Sequence, residues 1–168
     1  MNSEEIKNLE KLAEEGNGNA QYELGCIYYQ GKGVDQDYGK ARWYFENAVQ
    51  NGSKAANYYL GKIYYNGNGV GVDYGRAKDY FEKSASTKNV FSEYYLGKLY
   101  FWGDGVEKNT EKASAYKDQV LNRPIYSNQD SSLEDFYSVS DFEKATVNYV
   151  AQLQKRVESE YKKLYGEK

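Results

Sequence analysis

The apolar positions of the chain recur at intervals of three and four residues, which is the rhythm of an α-helix with one buried face. In the first clear segment, one face carries Ala20, Leu24, Ile27, Tyr28 and Gly31. The tetrapeptide "GKGV" at residues 31–34 then breaks the pattern, because paired glycines favour a turn over a helix. A second amphipathic segment, "YGKARWYFENAV", follows Asp37, whose residue type is favoured at a helix N-cap. The pattern predicts two helices joined by a short turn.

This two-helix pattern recurs with a period of 36 residues. Leu-Gly pairs begin at residues 24, 60 and 96, and the glycine turns begin at residues 31, 67 and 103. Alanine recurs at 41, 77 and 113, while tyrosine recurs at 28, 64 and 100 and again at 44, 80 and 116. Neither helix of a pair can bury its apolar face alone, so neighbouring pairs must stack. The sequence therefore predicts a solenoid.

The repeated pattern A-x-Y-x-L-G-x-x-Y-x-x-G-x-G-V-x-x-D-Y-x-x-A resembles the Sel1-like repeat, a relative of the tetratricopeptide repeat with a longer period. The copies span residues 20–52, 56–88 and 92–121, and residues 3–15 resemble the second helix of a preceding repeat. The third copy drifts after its turn, where Asn109 and Thr110 replace the Asp-Tyr pair. The resemblance implies an all-α, right-handed α-solenoid over residues 1–121, with an N-terminal half-repeat.

The sequence changes in kind after Pro124. "RPIYSNQDSS" is rich in turn-forming residues, and a capping-box pattern runs from Ser140 to Glu143. From there an amphipathic pattern continues to Leu164, which predicts one long helix. We expect residues 122–168 to form a helical cap on the last repeat, within the same globular unit. Two alternatives stay open: the helix folds back into the groove, or it pairs with a second copy in a homo-oligomeric scaffold.

Composition removes several classes of function. The chain has 168 residues, enough for one domain, with 20 tyrosines, no histidine and a single cysteine, Cys26. Zinc sites of histidine and cysteine, histidine-dependent catalytic pairs and an internal disulfide are therefore excluded. Within the apolar run "LGCIYY", Cys26 is predicted to be a buried, reduced thiol. The net charge of −3 gives no case for nucleic-acid binding.

The glycine turns resemble a phosphate-binding loop only superficially. Such a loop occurs once, between a strand and a helix, and carries a Gly-Lys-Ser/Thr sequence that this protein lacks. Acidic pairs such as Asp35 with Asp37, or Glu134 with Asp135, fall where helix capping and the helix dipole account for them. We therefore expect no catalytic residues, cofactor or metal. A carboxylate-dependent enzyme is the remote alternative.

The first helices of stacked repeats usually line the concave side of a solenoid, where partners bind. On these helices the positions equivalent to 23, 26 and 30 lie on the flank away from the packing face and differ between copies. Tyr and Trp are enriched in interface hot spots, so these positions predict a protein-binding surface. Its candidate residues are Glu23, Tyr59, Lys62, Asn66, Tyr95, Lys98 and Trp102. A second aromatic row, which includes Tyr22 and Tyr29, is predicted to pack between repeats.

The predicted function is non-catalytic binding of a protein partner, in an adaptor, regulatory or inhibitory role. The resemblance implies scaffold and adaptor roles, and small bacterial members of the family also act as antidotes to a toxin encoded alongside them. The first residues lack the apolar region of a signal peptide, and no apolar run approaches the roughly 20 residues that span a bilayer. We therefore expect a cytoplasmic monomer that binds neither membrane nor nucleic acid.

Overall fold

The computed structural model describes residues 3–121, together with positions 155 and 159. Within residues 3–121 the chain forms helices and no strands, in agreement with the predicted all-α class. The helices are α1 (Ser3–Glu14), α2 (Gly18–Gln30), α3 (Tyr38–Gln50), α4 (Ala56–Asn66), α5 (Tyr74–Ala85), α6 (Val90–Trp102) and α7 (Thr110–Leu121). The chain divides into two compact units, Met1–Ser84 and Ala85–Lys168. The predicted C-terminal helix after Ser140 lies outside the described residues.

The glycine turns end the first helix of each pair. Gly31, Gly67 and Gly103 adopt left-handed φ values of 69°, 71° and 79°. The backbone N–H of each glycine donates to the carbonyl of the residue four positions earlier, which satisfies a carbonyl at the helix end. These glycines therefore terminate helices, as the sequence predicts.

A capping residue begins the second helix and also ties it to the first. Oδ1 of Asp37, Asp73 and Asn109 accepts the backbone N–H of the residue three positions later, at 2.9, 2.9 and 2.8 Å. The backbone N–H of each capping residue donates to the carbonyl of Tyr28, Tyr64 or Tyr100 on the first helix, at 2.9–3.0 Å. Asn109 thus serves the capping role of the aspartates in the drifted third repeat.

The core of the first unit lies between helices of successive repeats. The fully buried Ala41, Phe45 and Ala48 of α3 pack with residues of α4, namely Ala56, Leu60 and Ile63. On the other side of the first pair, Ile6 and Ala13 of α1 pack with α2. The α1 helix therefore covers the apolar face of the first pair, as expected of an N-terminal half-repeat.

A buried amide joins three segments of this unit. The side chain of Gln21 donates from Nε2 to the carbonyl of Ala13 at 2.9 Å. Its Oε1 accepts a hydrogen bond from Nδ2 of Asn51 at 2.9 Å. Both ends of the amide are therefore satisfied, as a buried polar group requires.

Each helix pair also carries a stacked tyrosine pair with a cation beside it. Tyr28 stacks on Tyr44 and Tyr64 on Tyr80, both with ring centroids 5.7 Å apart, and Tyr100 stacks on Tyr116 at 6.0 Å. Lys40, Arg76 and Lys112 lie 5.0, 5.4 and 5.0 Å from the centroid of the first ring in their pair. The 36-residue period thus extends to these cations, in a cation–π geometry that supports each pair.

In the second unit, α6 and α7 pack on each other. Leu96 and Leu99 of α6 and Ala113 and Val120 of α7 are fully buried. The side chain of Asn89 caps α6 by accepting the backbone N–H of Ser92 at 2.9 Å. This unit holds the remaining candidate residues, which lie on α6.

Candidate partner-binding surface

In the first unit, the candidate residues lie on α2 and α4. Leu24 and Leu60 are fully buried and mark the packing face of these two helices. The candidate residues lie on the flank of the helices beside that packing face. Glu23 and Asn66 are exposed, whereas Tyr59 and Lys62 are half-buried. Half-buried side chains on this flank contact other side chains of the fold as well as solvent.

Tyr59 packs between repeats. Its ring stacks on the buried Phe45 with centroids 4.9 Å apart, and it meets Tyr22 and Tyr29 edge-on at 6.0 and 5.4 Å. The neighbouring Tyr58 contacts it edge-on at 5.2 Å. We call Tyr22, Tyr29, Tyr58 and Tyr59 the tyrosine cluster. The predicted inter-repeat packing of Tyr22 and Tyr29 is confirmed, and Tyr59 shares that role, which sequence reasoning missed.

Lys62 lies beside two rings of the tyrosine cluster. Its Nζ is 5.4 Å from the ring centroid of Tyr29 and 5.6 Å from that of Tyr58. Burial lowers the pKa of Lys62 from its ordinary value of 10.5, because a charged ammonium loses hydration. A nearby carboxylate would oppose this shift, and no ion pair joins Lys62 to a carboxylate within residues 3–121. Among the described residues, the ammonium group of Lys62 therefore lies beside tyrosine rings and not beside a carboxylate.

Cys26 occupies the position of α2 that corresponds to Lys62. It is a free, half-buried thiol that forms hydrogen bonds with Tyr22 and Tyr59. Burial raises the pKa of Cys26 to about 12. The two hydrogen bonds lower this pKa by less than burial raises it, and the negative charge of Glu23 raises it further. The thiol is therefore protonated near neutral pH and a poor nucleophile.

The shifted pKa of Cys26 predicts a loss of stability in alkali. The thiol titrates near 9.0 in the unfolded chain and near 12 in the folded one, so its favourable contribution is complete below pH 9. Above pH 9 the unfolded chain loses this proton first, and the free energy of unfolding falls as the pH rises toward 12. We expect the stability difference between wild type and Cys26→Ala to shrink by about 1 kcal/mol between pH 8 and pH 10.

Urea unfolding of both proteins at the two pH values measures this difference. The tyrosines and lysines that titrate in alkali are common to both proteins, so their effect cancels in the comparison. A difference that stays constant with pH would contradict the assigned thiol pKa.

In the second unit, Tyr95, Lys98 and Trp102 lie on α6. Tyr95 is half-buried and meets Tyr94 edge-on at 5.5 Å, and Nζ of Lys98 is 5.6 Å from the Tyr94 ring centroid. Trp102 is 55% exposed and contacts Phe101 edge-on at 4.8 Å. A large aromatic side chain in this state offers apolar area to a partner at low conformational cost.

Trp43 is an exposed aromatic residue that sequence reasoning did not include in the surface. It lies on α3, is 58% exposed, and contacts Tyr44 edge-on at 4.9 Å. The corresponding positions of the other repeats carry Asp79 and Ala115. An aromatic residue at a position that is acidic or small in the other copies is the sequence signal that could have indicated the exposure of Trp43. Because Trp43 is on a second helix rather than a first one, it serves below as a reference for Trp102.

Metal-ligand groups and membrane-spanning helices are both absent from the part of the chain that the structure describes. Among the described residues, no group of three or more Cys, Asp or Glu side chains is arranged to hold a metal ion. The same residues contain no helix that is long and apolar enough to cross a membrane. The candidate residues of the two units carry aromatic rings, lysine ammonium groups, and exposed amide and carboxylate groups.

The repeat architecture defines the class of protein. A family model described as "Sel1 repeat" matches residues 18–53, 54–86 and 90–116, which is more than half of the chain, and the chain belongs to this family. The predicted all-α solenoid of Sel1-like repeats is confirmed. Proteins with this repeat generally mediate protein–protein interactions, and the fold is typically a non-catalytic scaffold.

Solved structures of Sel1 repeat proteins are similar to this chain. A Sel1 repeat protein from Oxalobacter formigenes is 32% identical with a TM-score of 0.64, over 73% of this chain and 50% of its own. A protective antigen of uropathogenic Escherichia coli strains, which displays an SLR fold, is also 32% identical with a TM-score of 0.64. That match covers 68% of this chain and 24% of the antigen. This chain thus spans half or less of these two proteins, and a search of curated proteins finds no match.

Proposed function

We propose that this chain is a non-catalytic module that binds a protein partner through the flank of its first helices. The observation that carries this proposal is the tyrosine cluster, a continuous group of half-buried rings on α2 and α4 with a lysine beside it. Exposed polar side chains, Glu23 and Asn66, lie on the same two helices. An aromatic centre with a polar rim is the usual composition of a protein interface.

The second unit supports the proposal independently. Trp102 is the last residue of α6 and exposes more than half of its side chain. Tyr95 and Lys98 lie on the same helix. We therefore propose Tyr95, Lys98 and Trp102 as the binding residues of the second unit, with Trp102 as their anchor.

A narrower form of the proposal is an immunity protein that neutralises a toxin encoded beside it. The mild acidity of the chain, with a net charge of −3, is compatible with this role and does not define the charge of the partner. Expressing each neighbouring gene alone tests this form, since a toxic neighbour should be rescued by this protein. If no neighbour is toxic, the immunity role fails while the binding function stands.

The two exposed tryptophans provide a matched test of the surface. We expect Trp102→Ala to weaken capture of the partner by roughly 30-fold, the effect of removing a hot-spot side chain worth about 2 kcal/mol. Trp43→Ala removes a side chain of similar exposure from α3 and should leave capture unchanged. Affinity purification from native lysate of the source cells, with quantitative mass spectrometry, compares both variants with wild type.

The outcomes of this experiment separate the alternatives. A protein retained by wild type and by Trp43→Ala but lost from Trp102→Ala supports the proposed surface. Loss from Trp43→Ala alone would move the surface to α3. The absence of any specifically retained protein would count against the binding function itself.

A further inference from the structure

Lys62 is unusual because its ammonium group is half-buried and forms no ion pair with a carboxylate within residues 3–121. Burial is the only cause of its lowered pKa, whereas a neighbouring carboxylate would raise that value. The rings of Tyr29 and Tyr58 lie within 5.6 Å of Nζ. Ring faces attract a cation but leave its N–H groups without hydrogen-bond acceptors. The fold thus keeps a partly dehydrated cation on the surface proposed to bind a partner.

The neighbours of Lys62 indicate which chemical group of a partner would bind its ammonium group. Asn66 is one helical turn further along α4, so its exposed amide is on the same face. An ammonium and an amide one turn apart supply donors for the two oxygens of a carboxylate. The charge of Glu23, on the flank of α2, acts on Cys26 and makes no contribution to the lowered pKa of Lys62. Carboxylates are the anionic groups that the side chains and C-terminus of an unmodified protein partner present.

We propose that Lys62 and Asn66 form a binding site for a carboxylate group of the protein partner. This inference rests on the proposed function and specifies the chemistry of the same surface. The partner's carboxylate accepts hydrogen bonds from Nζ of Lys62 and from Nδ2 of Asn66, and its apolar neighbours pack on the tyrosine cluster. The carboxylate belongs either to an Asp or Glu side chain or to the C-terminus of the partner.

Displayed random-peptide libraries test the site without knowledge of the partner. One library presents internal peptides, which offer side-chain carboxylates only, and the other presents free C-termini. We expect wild type to select binders with Asp or Glu at a fixed position, or binders only from the C-terminal library. Replacing that carboxylate by its amide should weaken binding about 10-fold, the effect of losing one charge-assisted hydrogen bond.

Three variants assign the effect to the site. Lys62→Met should bind the acidic peptide and its amide counterpart equally, because the group that distinguishes them is gone. Asn66→Ala should reduce the difference in affinity between the acidic peptide and its amide counterpart. Lys54→Met removes an exposed lysine of the same unit and should leave that difference at the wild-type value. Isothermal titration of each protein with both peptides gives the required affinities.

Thermal unfolding separates a binding role from a structural role. Lys62→Met removes a poorly compensated charge, and a thioether packs well on aromatic rings, so the midpoint should stay equal or rise. A fall of several degrees would show that Lys62 serves the fold and would overturn the proposal.

The peptide experiment distinguishes this inference from the function on which it rests. Binders without an acidic group, or binders that recognise Lys62→Met as well as wild type, would overturn the carboxylate site and leave the binding function standing. If wild type selects no peptide from either library, both proposals fail.

Discussion

Replacing Gly61 by alanine should lower the free energy of unfolding by about 2–3 kcal/mol, although alanine is the better helix former. A Cβ atom at this position would lie 2.5 Å from Cε1 and 2.6 Å from Cδ1 of Phe81. Phe81 is fully buried, so its ring has no space to withdraw. Gly25→Ala should behave alike, since its Cβ would lie 2.6 Å from the ring of the buried Phe45.

The third repeat supplies the matched control. At Gly97 the nearest atom to an added Cβ is Cβ of Tyr116 at 3.4 Å, which is ordinary contact. Gly97→Ala should therefore leave stability unchanged or raise it by up to about 1 kcal/mol, from helix propensity. Urea unfolding followed by circular dichroism compares the three variants. Equal costs at all three positions would show that the close approach of the rings does not matter.

A double-mutant cycle identifies the clashing partner. Phe81→Leu removes ring atoms that the new Cβ of Gly61→Ala would meet. The double variant should therefore lose less stability than the sum of the two single variants. Strict additivity would mean that the cost at Gly61 arises elsewhere.

The parts of the fold that repeat could be predicted from the sequence. A glycine that must end a helix and a side chain that must cap the next are local requirements, and both return every 36 residues. The turn at Gly67 and the cap at Asp73 therefore follow from pattern alone, as does the burial of Leu60. Agreement of three copies makes each local inference stronger than a single copy would.

The surface was less predictable because its packing depends on side chains from neighbouring repeats. Tyr59 occupies the same repeat position as the exposed Glu23, yet it stacks on Phe45 of the preceding pair. Likewise, Lys62 and Cys26 share a repeat position but differ in what surrounds them. Among the described residues, Lys62 has no carboxylate neighbour. This depends on how side chains of different helices are placed in the fold, which the repeat pattern of the sequence does not predict. Local pattern therefore predicts which residues lie on this flank of the helices, but it does not predict the environment of those residues.

Phe45→Ala should be among the most damaging single truncations in the first unit, at about 3–5 kcal/mol. Phe45 is fully buried, and its ring contacts Tyr22, Tyr29 and Tyr59 with centroids 6.0, 6.4 and 4.9 Å away. Truncation leaves a cavity beneath the tyrosine cluster. Trp43→Ala, two residues earlier on the same helix, removes a larger but exposed ring and should cost about 1 kcal/mol or less. Denaturant unfolding of both variants tests this contrast, and equal costs would contradict it.

The same truncation should also weaken binding at the proposed surface, although the buried Phe45 cannot touch a partner. Its ring is the surface on which Tyr59 stacks, so its loss frees Tyr59 to change rotamer, and ordering that side chain again costs affinity. Titration with a peptide selected on wild type, below the unfolding transition, should show weaker binding to Phe45→Ala than to Trp43→Ala. Unchanged affinity would mean that the tyrosine cluster keeps its geometry without Phe45. Binding strength at this surface would then depend on the exposed side chains alone, and the core beneath would contribute only stability.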